Sequence, residues 1–370
     1  MKLFAITLLA LLSACSRSEP VATGRQIGVI LSRTGPAAPY GLDNEKGLLL
    51  AESVLTALDS GRGFAPALDI QDDAGNPDQA VTLARRFAAD TNVCAILGPT
   101  RTGSSVAVAA LLPSLRVPMV SVGSTGAWPG QFNEWTFRTT RVDTYLIEPL
   151  LRAARDRLGI RRLAIIYTID DDWSRSVLAV YESTATQLGM SIVSTQSQRT
   201  GDTDRSPQLT RIRAANPDGL IINTLATDAP SIAAQARRLG IRARFIGTAG
   251  FTNPQTWSLA GPGVLDSSLL AENYYRDSDR NAVQRFVQAF ETRFNEDPPP
   301  YAAYAYDGLM LVADAIRRAG SCDRGAIRNA LAVTTNFDAV LGNLTFHGSG
   351  DARKDPILLM IVDDRYVRFQ

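Results

Sequence analysis

The sequence contains little histidine and little cysteine, the two residue types on which many enzyme sites depend. Its 370 residues include one histidine, His347, and three cysteines. No serine lies in a Gly-x-Ser-x-Gly motif, no Cys/His cluster offers ligands for a transition metal, and no phosphate loop or dinucleotide fingerprint is present. These absences argue against an enzyme and predict no metal and no cofactor, although acid–base chemistry by carboxylates alone stays open.

The chain also lacks an excess of charge of one sign. It has 38 Lys and Arg against 37 Asp and Glu, a formal net charge of +1. No basic patch or run stands out, so no nucleic-acid partner is expected. Beyond the first residues, no apolar stretch is long enough to span a membrane. The length suits two lobes, each with its own hydrophobic core.

The first 14 residues have the features of a lipoprotein signal peptide. Lys2 supplies the charge, residues 3–12 form the apolar segment, and the ending Leu-Ser-Ala-Cys resembles the bacterial lipobox. Cleavage before Cys15 and acylation of its thiol would anchor the protein to the membrane through lipid only, in the periplasm. The alternative is an ordinary signal peptide that contains a cysteine. Residues 15–24 predict a flexible tether.

Two cysteines remain after Cys15. Cys94 begins a predicted buried strand, and Cys322 lies in a Gly-Ser-Cys-Asp loop. In an exported protein these thiols are able to form a disulfide. Two independent thiols are the alternative, and the sequence leaves both open.

The rest of the chain alternates short apolar strands with helical periodicity. One βα series runs from residue 26 to 122 and a second from 142 to 247. In the first series the pattern predicts a strand at 26–31, a helix from Asn44 to Ala57, a helix cap at Asn76 and a helix at 104–115. Repeated βα units predict parallel sheets with helices on both faces, and the restart between the series predicts two lobes. Three late helices, at 280–294, 301–318 and 324–332, are expected to cover a sheet formed earlier. The chain ends in strands of antiparallel character.

Two loops of small polar residues follow strands of the first series. The strand at 93–97 runs into a Gly-Pro turn and then into hydroxyl-bearing residues that open a helix, and Gly123-Ser124-Thr125 follows the next strand. Hydroxyls and free backbone N–H groups at a helix N-terminus favour an anion such as a carboxylate. The pattern predicts a small-molecule pocket at the carboxyl edge of a parallel sheet. The plain alternative is that Thr102, Ser104 and Ser105 only cap the helix.

Three groups of residues together resemble the branched-chain amino acid (Leu/Ile/Val) family of periplasmic substrate-binding proteins. They are Thr34–Gly41, then Asp72–Pro77 with Gly98-Pro99 and Ser104-Ser105, and finally Tyr304–Asp307. The resemblance extends from about Gln26 to the end of the chain. It implies an α/β fold with two doubly wound parallel-sheet lobes joined by three crossover strands, the type I periplasmic binding protein fold. Such a protein closes on a ligand between its lobes and delivers it to the permease of an ABC importer.

The resemblance also implies where the lobes begin and end. Crossovers are expected near residues 136–139, 272–275 and 338–343. The N-terminal lobe would comprise residues 25–137 and 276–340, and the C-terminal lobe residues 138–275 and 341–370.

Ligand contacts carry over from the family residue by residue. Tyr40 matches the aromatic that packs on the ligand side chain, and Thr102 the hydroxyl that holds its carboxylate. The loop after the next strand contributes Gly123, Ser124 and Thr125. The second lobe contributes Trp173, Leu225 and Ala249. Leu225 stands where the family has an aromatic, and Ala249 where it has the carboxylate that pairs with the ligand ammonium. Without that acid, a buried ammonium lacks its main charge partner.

Two ligand classes therefore stay open. In one, a neighbouring acid, Asp228 or one of residues 170–172, pairs with the amine of an amino acid. In the other, the ligand is an aromatic or aliphatic carboxylic acid without an ammonium, held against Leu225 and Ala249. The sequence also does not separate transport from ligand sensing. Arg101 is expected to be an exposed loop residue, and the late aromatic residues, Tyr304 and Tyr306 among them, are expected in the core.

Overall fold

A computed structural model of the protein describes residues 25–59, 66–128, 133–140, 142–346, 350–352 and 356–370. The predicted signal peptide, the tether, Cys15 and His347 lie outside these residues. Within the described part of the chain, no helix has the length and apolar character needed to cross a membrane.

The first sheet is parallel throughout and is formed by the first βα series. Its strands are β1 (Gln26–Leu31), β2 (Ala67–Asp72), β3 (Val93–Leu97), β4 (Met119–Ser121) and β5 (Thr136–Arg138). Their order across the sheet is β2-β1-β3-β4-β5. The helices between them are α1 (Ala38–Asp59), α2 (Pro77–Ala89), α3 (Thr102–Ala109) and α4 (Leu112–Leu115). Every residue of β3 is buried, as expected of a central strand covered on both faces.

Local sequence signals explain where these helices begin and end. The side chain of Asn76 accepts hydrogen bonds from the N–H groups of Asp78 (2.8 Å) and Gln79 (3.2 Å), which caps α2 ahead of Pro77. The helix predicted at 104–115 is instead split into α3 and α4. Pro113 lies in the first turn of α4 and has no N–H for a preceding turn, so one continuous helix is not formed.

The second sheet contains the second βα series. Its parallel strands are β6 (Arg162–Thr168), β7 (Ser191–Gln198), β8 (Gly219–Asn223), β9 (Arg244–Gly247) and β10 (Leu269–Glu272). Its helices are α5 (Asp143–Leu158), α6 (Asp172–Gln187), α7 (Ser206–Ala214) and α8 (Ala229–Arg238). Two short 3-10 helices, Ala249–Phe251 and Pro254–Leu259, follow β9.

Each sheet, together with the helices that pack on it, is called a layer here. The last third of the chain contributes to both layers. It comprises α9 (Asn281–Phe294), α10 (Pro300–Ala319), α11 (Arg324–Ala332), β11 (Phe337–Ala339), β12 (Gly342–Leu344), β13 (Ile357–Val362) and β14 (Arg365–Arg368). Leu309 and Val312 of α10 share a core with β1 and β3, so α10 covers the first sheet, as predicted. Strand β13 extends the second sheet antiparallel to β10, and β14 pairs antiparallel with β13, giving the order β14-β13-β10-β9-β8-β6-β7.

Helices α1 and α10 pack closely because a glycine lies at their contact. A Cβ atom added at Gly47 would lie 2.0 Å from the carbonyl oxygen of Ala302, a distance that no side chain tolerates. The contact holds the late helix α10 against the first helix of the chain. This packing brings Tyr301, near the start of α10, to Tyr40 near the start of α1.

The predicted α/β fold class with two parallel-sheet layers is confirmed. The chain passes from the first sheet to the second after β5, returns after β10 to pack α10 on the first sheet, and enters the second sheet again at β13. Phe346 packs on Phe137 beside the first sheet, with ring centroids 5.2 Å apart. The residues at which each lobe begins and ends stay a prediction.

A disulfide joins Cys94 of β3 to Cys322, in the loop before α11, with the two Cα atoms 5.0 Å apart. The structure thus decides between the two alternatives that the sequence leaves open. The bridge ties the central strand of the first sheet to the late helices, across 228 residues of sequence.

Candidate functional site

A small cavity lies between the two sheets, where loops from both layers meet. It is lined by Tyr40, Thr100, Arg101, Thr102, Gly123, Thr125, Asp171, Trp173, Leu225, Ala249 and Tyr301. Seven of the eight residues that the resemblance assigned to ligand contact are in this set. The cavity measures about 20 Å³, which is room for about one water molecule. The two layers are therefore closed on each other in this structure.

Thr102 is the first residue of α3 and lines the cavity from the first sheet. Its Oγ1 accepts hydrogen bonds from the N–H of Gly126 (3.2 Å) and from the hydroxyl of Ser124 (3.1 Å). No side chain caps α3, and the hydroxyl of Ser105 donates to the carbonyl of Pro99 instead (3.1 Å). The interpretation of these hydroxyls as simple helix caps is therefore wrong.

Ser124 is the one assigned residue that does not line the cavity. It is fully buried, and its Oγ accepts a hydrogen bond from the indole N–H of Trp128 (2.7 Å) while donating to Thr102. Ser124 thus lies behind Thr102 and fixes the position of its hydroxyl. A direct contact between Ser124 and a ligand stays a prediction.

Tyr40 connects the two layers through its hydroxyl. The O–H donates to the carbonyl of Ala249 (2.9 Å), which begins a 3-10 helix of the second layer, and accepts from the N–H of Ala226 (2.7 Å), in the loop after β8. The ring lies 4.4 Å from that of Tyr301, centroid to centroid. Burial raises the pKa of Tyr40 far above its usual range, so the hydroxyl stays neutral. The Tyr40 side chain is therefore part of the buried contact between the two layers.

The second layer contributes one large aromatic and two apolar side chains. Trp173, in the first turn of α6, lines the cavity and donates its indole N–H to Asp143 Oδ2 (2.6 Å). Leu225 and Ala249 line the same cavity and are buried. Their side of the cavity is apolar, as their residue types predict.

Asp143, at the start of α5, is a site residue that the sequence analysis missed. Its Oδ2 accepts hydrogen bonds from two residues that line the cavity, Thr125 (2.6 Å) and Trp173 (2.6 Å). Burial raises the pKa of Asp143 to about 6, against the opposing effect of these hydrogen bonds and of the nearby Arg138 charge. The available signal was an acid in the first turn of a helix that follows a predicted crossover.

Arg101 forms an ion pair with Asp171 across the cavity, so its expected place as an exposed loop residue is wrong. Its guanidinium also donates to the carbonyl of Gly75 (3.2 Å), whereas Asp171 caps α6 by accepting from the N–H of Ser174 (2.8 Å). The pair joins the loop after β3 to the loop after β6. A positive charge and a negative charge thus line the cavity from opposite layers.

The other acids considered for a ligand ammonium are engaged elsewhere. Asp228 is buried and pairs with Arg205 (2.8 Å). Asp170 accepts a hydrogen bond from the N–H of Thr200 (2.9 Å), and Asp172 pairs with Arg175 on its own helix. None of these three carboxylates lines the cavity.

A second cavity, of about 770 Å³, contains none of the assigned residues. It lies between the loop before α10, the end of β10 and the turn of β13 and β14, with Tyr274, Tyr366 and Pro299 in its walls. Across the described ranges, no group of three or more His, Cys, Asp or Glu side chains is arranged to hold a metal ion. The smaller cavity, where the assigned residues converge, is the candidate site.

Residues 25–365 match the family described as periplasmic binding protein. The chain belongs to this family. It is 26% identical over 328 residues to the Leu/Ile/Val-binding protein homolog 3 of Brucella melitensis, with 88% of each chain covered. It is 23% identical over 325 residues to a leucine-, isoleucine-, valine-, threonine- and alanine-binding protein of Pseudomonas aeruginosa, covering 86% of this chain and 85% of that one.

Solved structures of this periplasmic binding protein family share the fold. A leucine-binding protein, LivK, of Thermotoga maritima superposes with a TM-score of 0.86 at 24% identity, over 94% of this chain and 98% of that one. LivJ of Streptococcus pneumoniae, in complex with isoleucine, gives 0.86 at 22% identity, over 92% and 97%. The resemblance seen in the sequence is therefore confirmed, and membership indicates a periplasmic protein that binds a small molecule and is not an enzyme.

Proposed function

We propose that the protein is the substrate-binding component of an ABC importer and binds an aliphatic amino acid in the cavity between its two layers. The observation that supports the proposal is that hydrogen-bond donors and a buried carboxylate lie beside the same cavity. Thr102 and the first turn of α3 offer hydrogen-bond donors for a carboxylate, and Asp143 lies directly behind Thr125 and Trp173. The relatives named as binding leucine, isoleucine and valine agree with this choice.

Asp143 also favours an amino acid over an acid without an ammonium. A buried carboxylate with a raised pKa becomes more stable when a cation approaches it, because the cation compensates for lost hydration. An ammonium group beyond Thr125 and Trp173 would have this effect. The apolar Leu225 and Ala249 then accommodate the aliphatic side chain and not the charge.

Binding requires the two layers to separate and close again. A leucine molecule is much larger than a cavity of about 20 Å³, so the ligand cannot enter the closed arrangement described here. Hinge motion at the three passages between the sheets would open the cleft, and the ligand would shift the balance towards a closed form with a wider cavity.

A thermal-shift panel tests the ligand class. Each aliphatic amino acid is paired with its deaminated acid, for example leucine with 4-methylpentanoate. A ligand at a hundred times its Kd stabilises the folded state by about 2.7 kcal/mol, which is readily measured. Stabilisation by leucine, isoleucine or valine but not by the deaminated acids supports the proposal. Stabilisation by the deaminated acids alone contradicts it and favours the carboxylic acid alternative.

We further propose that Cys15 carries the lipid anchor that holds the protein beside its permease. The signal-peptide features of residues 1–14 support this proposal. Metabolic labelling with a fatty acid is expected to mark the wild type and not Cys15→Ala. Equal labelling of both chains, or of neither, contradicts the anchor.

A further inference from the structure

A buried hydrogen bond between Asp43 and Asn253 joins the two layers outside the ligand cavity. Asp43 lies on α1, which packs on the first sheet, and Asn253 lies between the two 3-10 helices that follow β9. The side-chain amide of Asn253 donates to Asp43 Oδ2 at 2.6 Å. The exposed fractions are 4% for Asp43 and 1% for Asn253, so closure of the layers removes both side chains from water.

Among the described residues, Asp43 has no ion-pair partner. Lys46, one turn further along α1, pairs with Glu296 in the loop before α10 instead. A buried carboxylate without a paired charge is strongly disfavoured, and the ordinary outcome is that it binds a proton.

Asn253 supplies the place for that proton. Its Oδ1 is buried and has no hydrogen-bond partner within the described part of the chain. An ionised carboxylate has no hydrogen to donate to this oxygen, whereas a carboxylic acid does. Protonated Asp43 and the Asn253 amide would form two parallel hydrogen bonds, which satisfies the orphaned acceptor.

We propose that closure of the two layers over the ligand takes up one proton from solvent at Asp43, so that this residue makes ligand binding stronger as the pH falls. This inference depends on the proposed function in one respect, because leucine, the ligand used in the test, is taken from it. When the layers separate, Asp43 returns to water and releases the proton. The Asp43–Asn253 pair thus couples the closed state to the acidity of the periplasm.

The electrostatics of the closed state agree with this assignment. Burial raises the pKa of Asp43 to about 7, although the charge of Lys46 and the hydrogen bond from Asn253 oppose the shift and Glu296 adds to it. The other titratable groups that sense Asp43 are Tyr301 on α10 and Tyr366 on β14. Burial raises the pKa of both tyrosines well above 10, so neither titrates between pH 5 and 8.

The sign of the effect follows from linkage. The pKa of Asp43 is raised in the closed state relative to about 3.9 in water, so the closed state binds the extra proton between about pH 4 and 7. Closure is favoured at the acid end of this window and loses the contribution as the pH rises through the closed-state value. Asp143 acts in the opposite direction, because a ligand ammonium would lower its pKa and release a proton.

The test is calorimetric titration of the full chain with leucine at pH 5.5 and pH 8, each in two buffers of different ionisation enthalpy. Because Asp143 is present in both chains, the effect of Asp43 is read as the difference between the wild type and Asp43→Asn. On binding leucine at pH 5.5 the wild type should take up about one proton more than Asp43→Asn, and its affinity ratio between pH 5.5 and pH 8 should be on the order of tenfold larger. Asp43→Asn mimics the neutral acid, so it should bind leucine at pH 8 more tightly than the wild type and lose the proton uptake. Glu45→Gln, which removes a partly buried acid two residues further along α1 that pairs with Arg33, should keep the wild-type profile.

Two further measurements keep the outcome decisive. Asn253→Asp places a second carboxyl opposite Asp43 and should make the pH dependence steeper, because two facing carboxylates resist double ionisation. Hydrogen exchange of the segment 249–256 without ligand, corrected for intrinsic rates, should be slower at pH 5.5 than at pH 8 in the wild type but not in Asp43→Asn.

If leucine fails to bind at any pH, the proposed function fails and the exchange result decides the inference. Identical pH profiles of wild type and Asp43→Asn overturn it.

Discussion

The guanidinium of Arg101 and the carboxylate of Asp171 form an ion pair that joins the two sheets at the candidate site. Asp171 is almost completely buried, with 1% of its side chain exposed, and Arg101 is 21% exposed. Since the two residues lie in different layers, the pair exists only while the layers are closed. The attraction between the two charges therefore stabilises the closed arrangement of the layers.

The ion pair predicts that charge removal weakens ligand binding. Asp171→Asn keeps an acceptor for the cap of α6 but removes the charge, so leucine affinity should fall roughly fivefold, corresponding to about 1 kcal/mol. Arg101→Ala should have a larger effect because it leaves Asp171 buried without its partner. Calorimetry at low and high salt checks whether the loss of affinity is electrostatic. The leucine affinity of the wild type should fall as salt is added, and that of Asp171→Asn should change less. Unchanged leucine affinity in both variants would show that the ion pair does not contribute to closure of the layers.

Thr102 is predicted to hold the ligand carboxylate. Thr102→Ala should weaken leucine binding roughly ten- to a hundredfold, because a hydrogen bond to a charged group contributes about 1.5–3 kcal/mol. The N–H of Gly126 also loses its acceptor, so a modest fall in melting temperature is expected. Thr102→Ser retains the hydroxyl and serves as the matched control. Wild-type affinity in Thr102→Ala would show that the hydroxyl does not touch the ligand.

The Tyr40 hydroxyl is predicted to stabilise the closed state separately from its ring. Tyr40→Phe keeps the stack on Tyr301 but leaves the buried N–H of Ala226 without its acceptor, whereas the carbonyl of Ala249 still accepts from Thr252. Leucine affinity should fall roughly tenfold, since an unsatisfied buried group costs about 1–3 kcal/mol. Tyr40→Leu, which also removes the aromatic stack, should bind more weakly than Tyr40→Phe in the same titration. Equal affinities of Tyr40→Phe and wild type would contradict the role of the hydroxyl.

Asp143 is predicted to select ligands that carry an ammonium. Asp143→Asn should reduce the affinity for leucine and leave that for 4-methylpentanoate unchanged or higher, as measured by paired titrations. Because burial raises the pKa of Asp143 above its unfolded value, this group makes ligand-free stability decrease as the pH rises from about 4 to 6. Asp143→Asn should lose that part of the pH dependence in thermal unfolding. Equal losses for both ligands would indicate a structural role.

The disulfide is predicted to stabilise the fold without affecting the site. Replacing Cys94 and Cys322 together with alanine should lower the free energy of unfolding by about 2–5 kcal/mol, measured by chemical denaturation. Neither cysteine lines the candidate cavity, so leucine affinity should stay within twofold, roughly the error of such titrations. A large loss of affinity in a folded double variant would reveal coupling between the bridge and the cleft.

Local sequence patterns predicted much of the architecture. The strand predicted at 26–31 has the bounds of β1, and the cap at Asn76 is where the sequence indicates. The helix predicted from Asn44 begins instead at Ala38, because burial of Tyr40 against the second layer stabilises the first turn. That contact joins residues 209 positions apart, and nothing in the local pattern indicates it.

The sequence by itself determined the βα alternation, the two layers and the residue types that line the cavity, because periodicity and turn chemistry are local properties of the chain. Only the tertiary structure decided the pairing of Arg101 with Asp171 and the burial of Asp143. It also decided that Asp228 pairs with Arg205 and does not line the cavity. Charge partners and desolvation depend on which distant segments meet when the layers close. The ionic half of the site therefore could not be derived before the fold was known.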